Sequence, residues 1–169
     1  VWADTPVRYL IPVVDYKFEP DAFDLRLKIE KNADKWIKGN PPAYCNTKDN
    51  KILSQVLLDY DQETNDFYRW KISYTQKEIS ELIRKKTGID FGDILDLEPV
   101  ERGESSRLIK LKITGSKKEL IIGKELEIRR ALSKSHLYSS AIVIEKQNAV
   151  AGVPAGFDIY GAGWGHGVG

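Results

Sequence analysis

The last nine residues of the sequence, GAGWGHGVG, carry the side chains whose types and spacing best suit chemistry. Glycine occupies every second position from Gly161 to Gly169. In an extended strand successive side chains point to opposite faces, so bare backbone lies on one face and Trp164 and His166 lie on the other. The bare face lets a backbone or a flat sugar ring approach closely, while the other face offers an aromatic platform and a titratable imidazole. The spacing predicts a ligand-contacting strand, with a flexible Gly-rich tail as the open alternative.

Two other kinds of site do not fit the sequence. The terminal glycines never take the three-residue step of a G-x-G-x-x-G phosphate loop, and no Gly-Lys-Ser/Thr is present. One cysteine, Cys45, and two histidines, His136 and His166, form no sequence-local zinc pattern. We therefore expect no cofactor.

Composition bounds the class of protein. The 169 residues are 41% hydrophobic and 30% charged, and 26 Lys and Arg against 25 Asp and Glu give a net charge of +1. These values are typical of one globular domain and give no support to a disordered chain or a nucleic-acid protein that works by bulk positive charge. No stretch approaches the roughly 18 apolar residues of a membrane-spanning segment. Because the sequence contains no Met, we expect it to be part of a longer protein.

The first part of the chain, residues 1–66, predicts an irregular N-terminal arm that continues an unseen upstream part. Prolines interrupt its apolar runs, and the pattern favours one or two helices, over residues 22–37 and 51–61. The second helix is predicted to run for two to three turns with Ile52, Val56 and Tyr60 on one face.

The second part, residues 67–169, predicts an α+β core that ends in the Gly-rich strand. Alternating large apolar residues from Tyr68 to Tyr74 are typical of a half-buried strand. Thr75 and Glu78 then have the spacing of a capping box, and Gly88 is placed to end the helix.

Further strands and a short helix follow in the core. ILDLEPVER and RLIKLKIT predict an antiparallel hairpin, with Pro99 at an edge or bulge and with Ile109, Leu111 and Ile113 facing the core. ELIIG and SAIVIEK predict two more strands, and the segment between them predicts a short helix. Short capped helices on an antiparallel or mixed sheet define an α+β fold.

The sequence of these features resembles a known family. GWGHGVG is similar to the signature of the stage II sporulation protein D / amidase enhancer family of bacterial cell-wall proteins. FYRWKISYTQKEISELI, FGDILDLEPVERGESSRLIKLKITG and ELEIRRALSKSHLYSSAIVIEK resemble the family's strand and capped helix, its hairpin, and its Arg-containing helix and next strand. The resemblance covers residues 67–169 and implies an extracytoplasmic location.

The resemblance also implies a reaction. Family members include lytic transglycosylases of peptidoglycan, in which one Glu protonates the glycosidic oxygen and the sugar's 6-hydroxyl closes a 1,6-anhydro ring. The family carries that Glu in an upstream segment, shortly before Trp-Pro, and residues 1–169 contain no such segment. We therefore assign catalysis to no Glu of this chain and expect the chain alone to be inactive. Glu78, Glu125 and Glu127 are interpreted as helix-capping or solvent-facing.

Roles for individual residues follow from the resemblance. Trp164 would stack on a sugar, His166 would bind substrate or support the acid, and Arg129 would meet an anionic carboxylate. The glycines would allow close approach of the substrate; they are Gly163, Gly165 and Gly167. A core tryptophan, a structural histidine and a surface arginine remain open alternatives. The resemblance allows zinc only with ligands outside this chain, to which Cys45 would add one. A disulfide partner and an unpaired cysteine are the other interpretations of Cys45.

The implied partners are peptidoglycan glycan strands and, on the amidase-enhancer side of the family, a cell-wall amidase. That side suggests a noncatalytic module that binds cell wall, and a general polysaccharide-binding domain is a third possibility. An acid in the expected upstream context would favour the transglycosylase.

Overall fold

The protein folds as two small antiparallel sheets with helices packed against them. In a computed structural model, residues 13–18, 20–56, 66–135, 137–150 and 152–163 are described. The helices are α1 (Glu30–Lys38), α2 (Asn50–Val56), α3 (Gln76–Thr87) and α4 (Glu125–Ala131). The strands are β1 (Arg69–Thr75), β2 (Ile94–Arg102), β3 (Leu108–Gly115), β4 (Glu119–Gly123), β5 (Ile142–Lys146), β6 (Ala149–Val150), β7 (Val153–Pro154) and β8 (Gly156–Ala162).

All the described strand pairs are antiparallel. The first sheet has the order β1-β8-β5, the second has the order β2-β3-β4, and β6 and β7 form a short ribbon. The main core contains buried residues of both three-stranded sheets together with α3 and α4, among them Trp70, Ile83, Leu111, Ile128 and Phe157. The predicted α+β class with short helices is confirmed.

Local sequence signals place α3 as predicted. The Thr75 hydroxyl accepts from the Glu78 backbone N–H at 3.3 Å, and the Glu78 carboxylate accepts from the Thr75 N–H at 2.9 Å. This reciprocal pair is the predicted capping box. Gly88 ends the helix with φ +73°, in the left-handed region that favours glycine.

The first helix begins later than its apolar spacing predicts, at Glu30. Just before it, the Asp24 carboxylate accepts from the Arg26 backbone N–H at 3.0 Å and from the Arg26 Nε at 2.9 Å. A short acidic side chain that binds nearby backbone competes with helical hydrogen bonds. The prediction of a helix from residue 22 was therefore wrong by about two turns.

Burial differs from the predicted pattern at two further positions. In α2, Leu53 is buried and Ile52 is exposed, so the predicted face is not buried at Ile52; Tyr60 lies outside the described residues. In β3, Leu111 is buried as predicted but Ile109 is exposed. The register of β2 against β3 shifts on both sides of Glu101, which changes the alternation at this end of the hairpin. Pro99 flanks one of these shifts, as predicted.

Helix α1 covers the face of the first sheet that lies opposite the main core. Ala33 and Ile37 of α1 form a second apolar cluster with Val143 and Ala162. An ion pair reinforces this packing, because Glu30 of α1 binds the fully buried Arg102 of β2. Part of the predicted N-terminal arm is thus packed directly on the strand that leads into the Gly-rich stretch.

Candidate functional site

Gly161 in β8 is held against the Trp70 ring. It pairs with Trp70 of β1 on one side and with Ile142 of β5 on the other. A Cβ at Gly161 would overlap the indole at Cζ2, Cε2 and Cη2. Glycine at this position therefore allows the indole to lie flat on the backbone of the central strand.

Gly163 leaves the extended conformation. Its φ is +67°, so the strand alternation assumed for the Gly-rich stretch is interrupted here. Its N–H donates to the Tyr68 carbonyl at 3.0 Å, and its carbonyl accepts from the Trp70 indole N–H at 3.2 Å. These two bonds fix the point from which the chain continues into WGHGVG.

A cavity of about 700 Å³ opens beside this point. It lies between the N-terminal arm and the end of the first sheet, with Ala162 and Gly163 in its wall. Aromatic and charged side chains supply much of the remaining wall: Tyr16, Phe18, Trp36 and Tyr68, and Asp15, Lys17, Arg69, Glu104 and Arg107. The volume falls within the range of about 300–1,000 Å³ that is typical of small-molecule sites.

Arg69 is fixed in the cavity wall by backbone carbonyls. Its Nε donates to Gly39 at 3.1 Å, its Nη1 to Tyr68 at 2.8 Å and its Nη2 to Trp36 at 3.0 Å. The guanidinium also lies 4.0 Å from the centre of the Tyr68 ring. Burial lowers the pKa of Arg69, but a guanidinium remains charged at physiological pH.

Two neighbouring groups on the same wall, the Cys45 thiol and the Tyr68 hydroxyl, have raised pKa values. Burial, reinforced by a hydrogen bond to Asp15, raises the pKa of the Cys45 thiol to about 12. Burial also raises the pKa of Tyr68, whose hydroxyl donates to the Pro41 carbonyl. At neutral pH Cys45 is therefore a protonated thiol, which is neither the nucleophilic form nor the metal-binding form of cysteine.

Only some of the predicted site residues fall within the described part of the chain. Gly163 lies in the cavity wall. Arg129 braces α4, because its Nε donates to the Leu137 carbonyl at 2.6 Å and its Nη1 lies 3.4 Å from Glu125. The predicted contact between Arg129 and a substrate stays a prediction. The others lie outside the described residues: Trp164, Gly165, His166 and Gly167, together with His136.

The acidic residues interpreted as capping or solvent-facing have three different environments. Glu78 completes the capping box, as predicted. Glu127 is exposed and pairs with Arg130 at 3.6 Å. Glu125 pairs with Arg129 and its side chain is only 12% exposed, so the solvent-facing interpretation was wrong for this residue.

Sequence reasoning missed the role of Arg69. The alternation of β1 places Arg69 on the face opposite Trp70, and that pattern alone indicates a solvated position. The residues that surround Arg69 come from the arm, far away in sequence, and no local signal predicts that the arm packs there. Gly161 was seen only as part of a glycine series, since its partner Trp70 lies 91 positions earlier in the chain.

Two kinds of feature are absent from the described residues. None of the helices there is long and apolar enough to cross a membrane. No group of three or more His, Cys, Asp or Glu side chains in this part of the chain could hold a metal ion.

The fold and cavity define an α+β domain in which a largely apolar, aromatic-lined cavity with a few charged side chains lies beside a Gly-rich strand end. The whole chain, residues 1–169, matches the model of a family described as "Domain of unknown function (DUF8618)", and the protein belongs to that family. Comparison with curated proteins and with solved structures gave no match. The resemblance to the stage II sporulation protein D / amidase enhancer family therefore stays a prediction.

Proposed function

We propose that this chain is part of a bacterial extracytoplasmic cell-wall protein that acts on the glycan strands of peptidoglycan, and that the cavity is its glycan-binding groove. One observation carries the proposal: Gly163, the first residue of GWGHGVG, forms part of the cavity wall. The segment whose resemblance suggests the function thus begins in the wall of this cavity.

The lining of the cavity suits a saccharide. Sugar rings present apolar C–H faces that pack on aromatic side chains, and hydroxyl edges that need hydrogen-bond partners. Trp36 and Tyr68 lie on the same wall as Arg69 and Ser105, so both kinds of contact are available. The bare backbone at Gly163 adds a place where a ring can approach closely.

The proposed reaction is lytic transglycosylation with the catalytic Glu supplied from outside these residues. Protonating a glycosidic oxygen requires a carboxylic acid that is free to face the substrate. Both described carboxylates of the cavity wall are already engaged: Asp15 accepts from the Cys45 N–H at 3.0 Å, and Glu104 pairs with Lys28. The residues of this chain would bind and orient the glycan, and a longer protein would bring the acid.

The same observation favours a second candidate, a noncatalytic module that binds cell wall and stimulates an amidase. If no acid joins the groove, the cavity would still hold a glycan strand. The two candidates differ in whether a protein containing this chain forms an anhydro product.

Mass spectrometry of glycan-strand digests tests the proposal. We expect the longer protein to release fragments ending in 1,6-anhydro sugars, and the 169-residue chain to bind the strands in a pull-down without cleaving them. Cleavage by the 169-residue chain would contradict the placement of the acid. Binding without cleavage by the longer protein would favour the amidase-enhancer candidate, and lack of binding by both proteins would overturn the proposal.

His166→Ala in the longer protein provides a second test. We expect lower turnover or weaker binding, with the free energy of unfolding within about 1 kcal/mol of the wild-type value, as for substitution of a residue that contacts substrate instead of packing in a core. Unchanged activity with a large loss of stability would instead indicate a structural histidine.

A further inference from the structure

The charged residues on the cavity wall differ in whether another group already neutralises or binds them. The cations are Lys17, Arg69 and Arg107, and the acids are Asp15 and Glu104. Asp15 is bound by the Cys45 backbone N–H, and Glu104 is neutralised by Lys28, which is not part of the wall. Because a backbone N–H is neutral, it does not cancel the charge of a carboxylate, so the three cations face one uncompensated acid, Asp15, and the wall has a net positive charge.

Arg69 differs from the other arginines that are removed from solvent. The fully buried Arg102 is paired with Glu30, and Arg129 is paired with Glu125. Among the described residues, no carboxylate forms an ion pair with Arg69, whose hydrogen bonds go to three backbone carbonyls. A guanidinium has five N–H donors, so two of them have no described acceptor. Partly buried charges are usually compensated, and a bound anion would supply the missing counter-charge.

The loop between β2 and β3 brings further donors to the same cavity. Arg107 lines it, and the Arg107 Nη1 is 3.4 Å from the Ser105 hydroxyl, at the long end of hydrogen bonding. Ser106 also lines the cavity, and its buried Oγ has no hydrogen-bond partner within the described part of the protein. Buried hydroxyls are normally satisfied, so this one is consistent with a site built to receive a polar group.

We infer that Arg69 and Arg107 form a carboxylate subsite, so that the cavity selects saccharides carrying a carboxylate over neutral saccharides of the same length. The saccharide part of this inference rests on the proposed function, whereas the carboxylate part rests on the wall itself. Planar guanidinium groups bind carboxylates through paired N–H donors, which gives both affinity and orientation. Among the sugars of peptidoglycan, N-acetylmuramic acid has a lactyl carboxyl group, which is a free carboxylate where the stem peptide has been removed, and N-acetylglucosamine has none.

Calorimetric titration of the 169-residue chain with two tetrasaccharides tests the inference. One ligand alternates N-acetylglucosamine with N-acetylmuramic acid, and the other is the neutral N-acetylglucosamine tetramer. We expect the acidic ligand to bind about tenfold tighter, the size of one charge-assisted hydrogen bond. The preference should decrease as salt is added, because added ions screen the attraction.

Arg107→Gln is the informative variant, since Arg107 makes fewer structural hydrogen bonds than Arg69. It should weaken binding of the acidic tetrasaccharide much more than binding of the neutral one, and so remove most of the preference. Arg130→Gln is the matched control: it makes the same charge change on an exposed arginine that does not line the cavity, and it should keep the preference. Arg107→Lys retains the positive charge but lacks the paired N–H donors of the guanidinium, so it should keep only part of the preference for the acidic tetrasaccharide. Circular dichroism spectra would confirm that each variant is folded.

The outcomes separate this inference from the proposed function. Equal binding of both tetrasaccharides by the wild-type chain would overturn the carboxylate subsite and leave glycan binding intact. Binding of a galacturonate tetramer but of neither cell-wall ligand would support the subsite and overturn the peptidoglycan proposal. Binding of none of the three ligands would overturn both proposals. A preference that survives Arg107→Gln in a folded protein would overturn the subsite alone.

Discussion

Gly161 and Trp70 show how a single missing side chain sets the geometry of the candidate site. The indole lies where a Cβ of residue 161 would be, and its N–H reaches the Gly163 carbonyl at 3.2 Å. The same ring thus packs on the strand and fixes the point at which the strand turns into the cavity wall. The site depends on this residue although the residue does not itself line the cavity.

Gly161→Ala should destabilise the protein by about 1–3 kcal/mol, the usual cost of forcing extra volume into a packed core. The substitution places a methyl group inside the Trp70 ring, and the backbone of the central strand cannot move away easily. Urea unfolding monitored by tryptophan fluorescence measures the effect.

Gly103→Ala is the control for this prediction, because a Cβ there would meet its nearest atom, the Ile109 Cδ1, at an ordinary 3.6 Å. It should change the free energy of unfolding by less than about 0.5 kcal/mol. A Gly161→Ala protein as stable as the Gly103→Ala protein would show that the indole does not constrain this position.

Cys45 should react slowly with iodoacetamide in the folded protein. Its pKa is raised to about 12 by burial first and then by Asp15, whereas an unfolded cysteine has a pKa of about 8.5. Because only the thiolate reacts, the folded protein at pH 9 should be alkylated at least about a hundredfold more slowly than the protein in urea.

The sign of the linked pH effect follows from the same shift. The folded state holds the thiol proton more tightly, so this contribution to stability is complete below about pH 8.5 and is lost as the pH rises towards 12. Asp15→Asn should speed alkylation only modestly, since burial is the larger cause. Equal alkylation rates in folded and unfolded protein would rule out a protonated, shielded thiol.

At the level of single elements, α3 follows β1 directly, because the last residue of β1, Thr75, is also the N-cap of the helix. Thr75→Ala removes the hydroxyl that accepts from the Glu78 N–H and should cost about 1 kcal/mol of stability. Thermal or urea unfolding measures the loss. Thr75→Ser restores the acceptor oxygen and should bring the stability back close to the wild-type value, and a serine variant as unstable as the alanine variant would argue against the cap.

The elements also show where sequence reasoning succeeds. The capping box, the left-handed Gly88 and the β2–β3 hairpin depend on neighbouring residues, and each lies where the sequence predicts it. The start of α1 depends on a side chain that binds backbone, and the exposure of Ile109 depends on a register shift at which Ile109 itself has no partner in β2. Such features change the phase of a pattern without changing its composition, so periodicity alone could not locate them.

In the candidate site, too, the features set by neighbouring residues are visible in the sequence and those set by distant residues are not. Its glycines and its resemblance to a family signature are visible in the sequence, which therefore points to one edge of the cavity. The opposite edge is formed by the arm, including Tyr16 and Trp36, and the positive charge comes from Arg69 between them. These contacts join residues about thirty positions apart or more, as the Arg69 bond to Gly39 shows, and no pattern within one segment predicts them.

At the level of the whole molecule, the ion pair between the buried Arg102 and the half-exposed Glu30 joins the arm to the core. Arg102 Nε and Nη2 lie 2.5 and 2.6 Å from the two Glu30 oxygens, and Arg102 also donates to the Ser106 and Ile142 carbonyls. Arg102 thereby connects α1, the β2–β3 loop and β5. Because α1 carries Trp36 and the loop carries Ser106, both in the cavity wall, we expect this one side chain to couple the stability of the fold to the shape of the cavity.

Glu30→Gln should therefore lower both stability and glycan affinity. The substitution leaves the Arg102 charge buried without a counter-charge, which we expect to cost about 1–3 kcal/mol, below the upper values for buried pairs because the Glu30 side chain is 52% exposed. Glu127→Gln, which breaks an exposed pair with Arg130, is the control and should cost under about 1 kcal/mol. Adding Arg102→Met to Glu30→Gln removes the uncompensated charge, so the double variant should recover part of the lost stability if charge burial is the cause. A double variant less stable than Glu30→Gln would show instead that the Arg102 bonds to the Ser106 and Ile142 carbonyls hold the arm in place, and that the cavity is shaped by those bonds rather than by the ion pair.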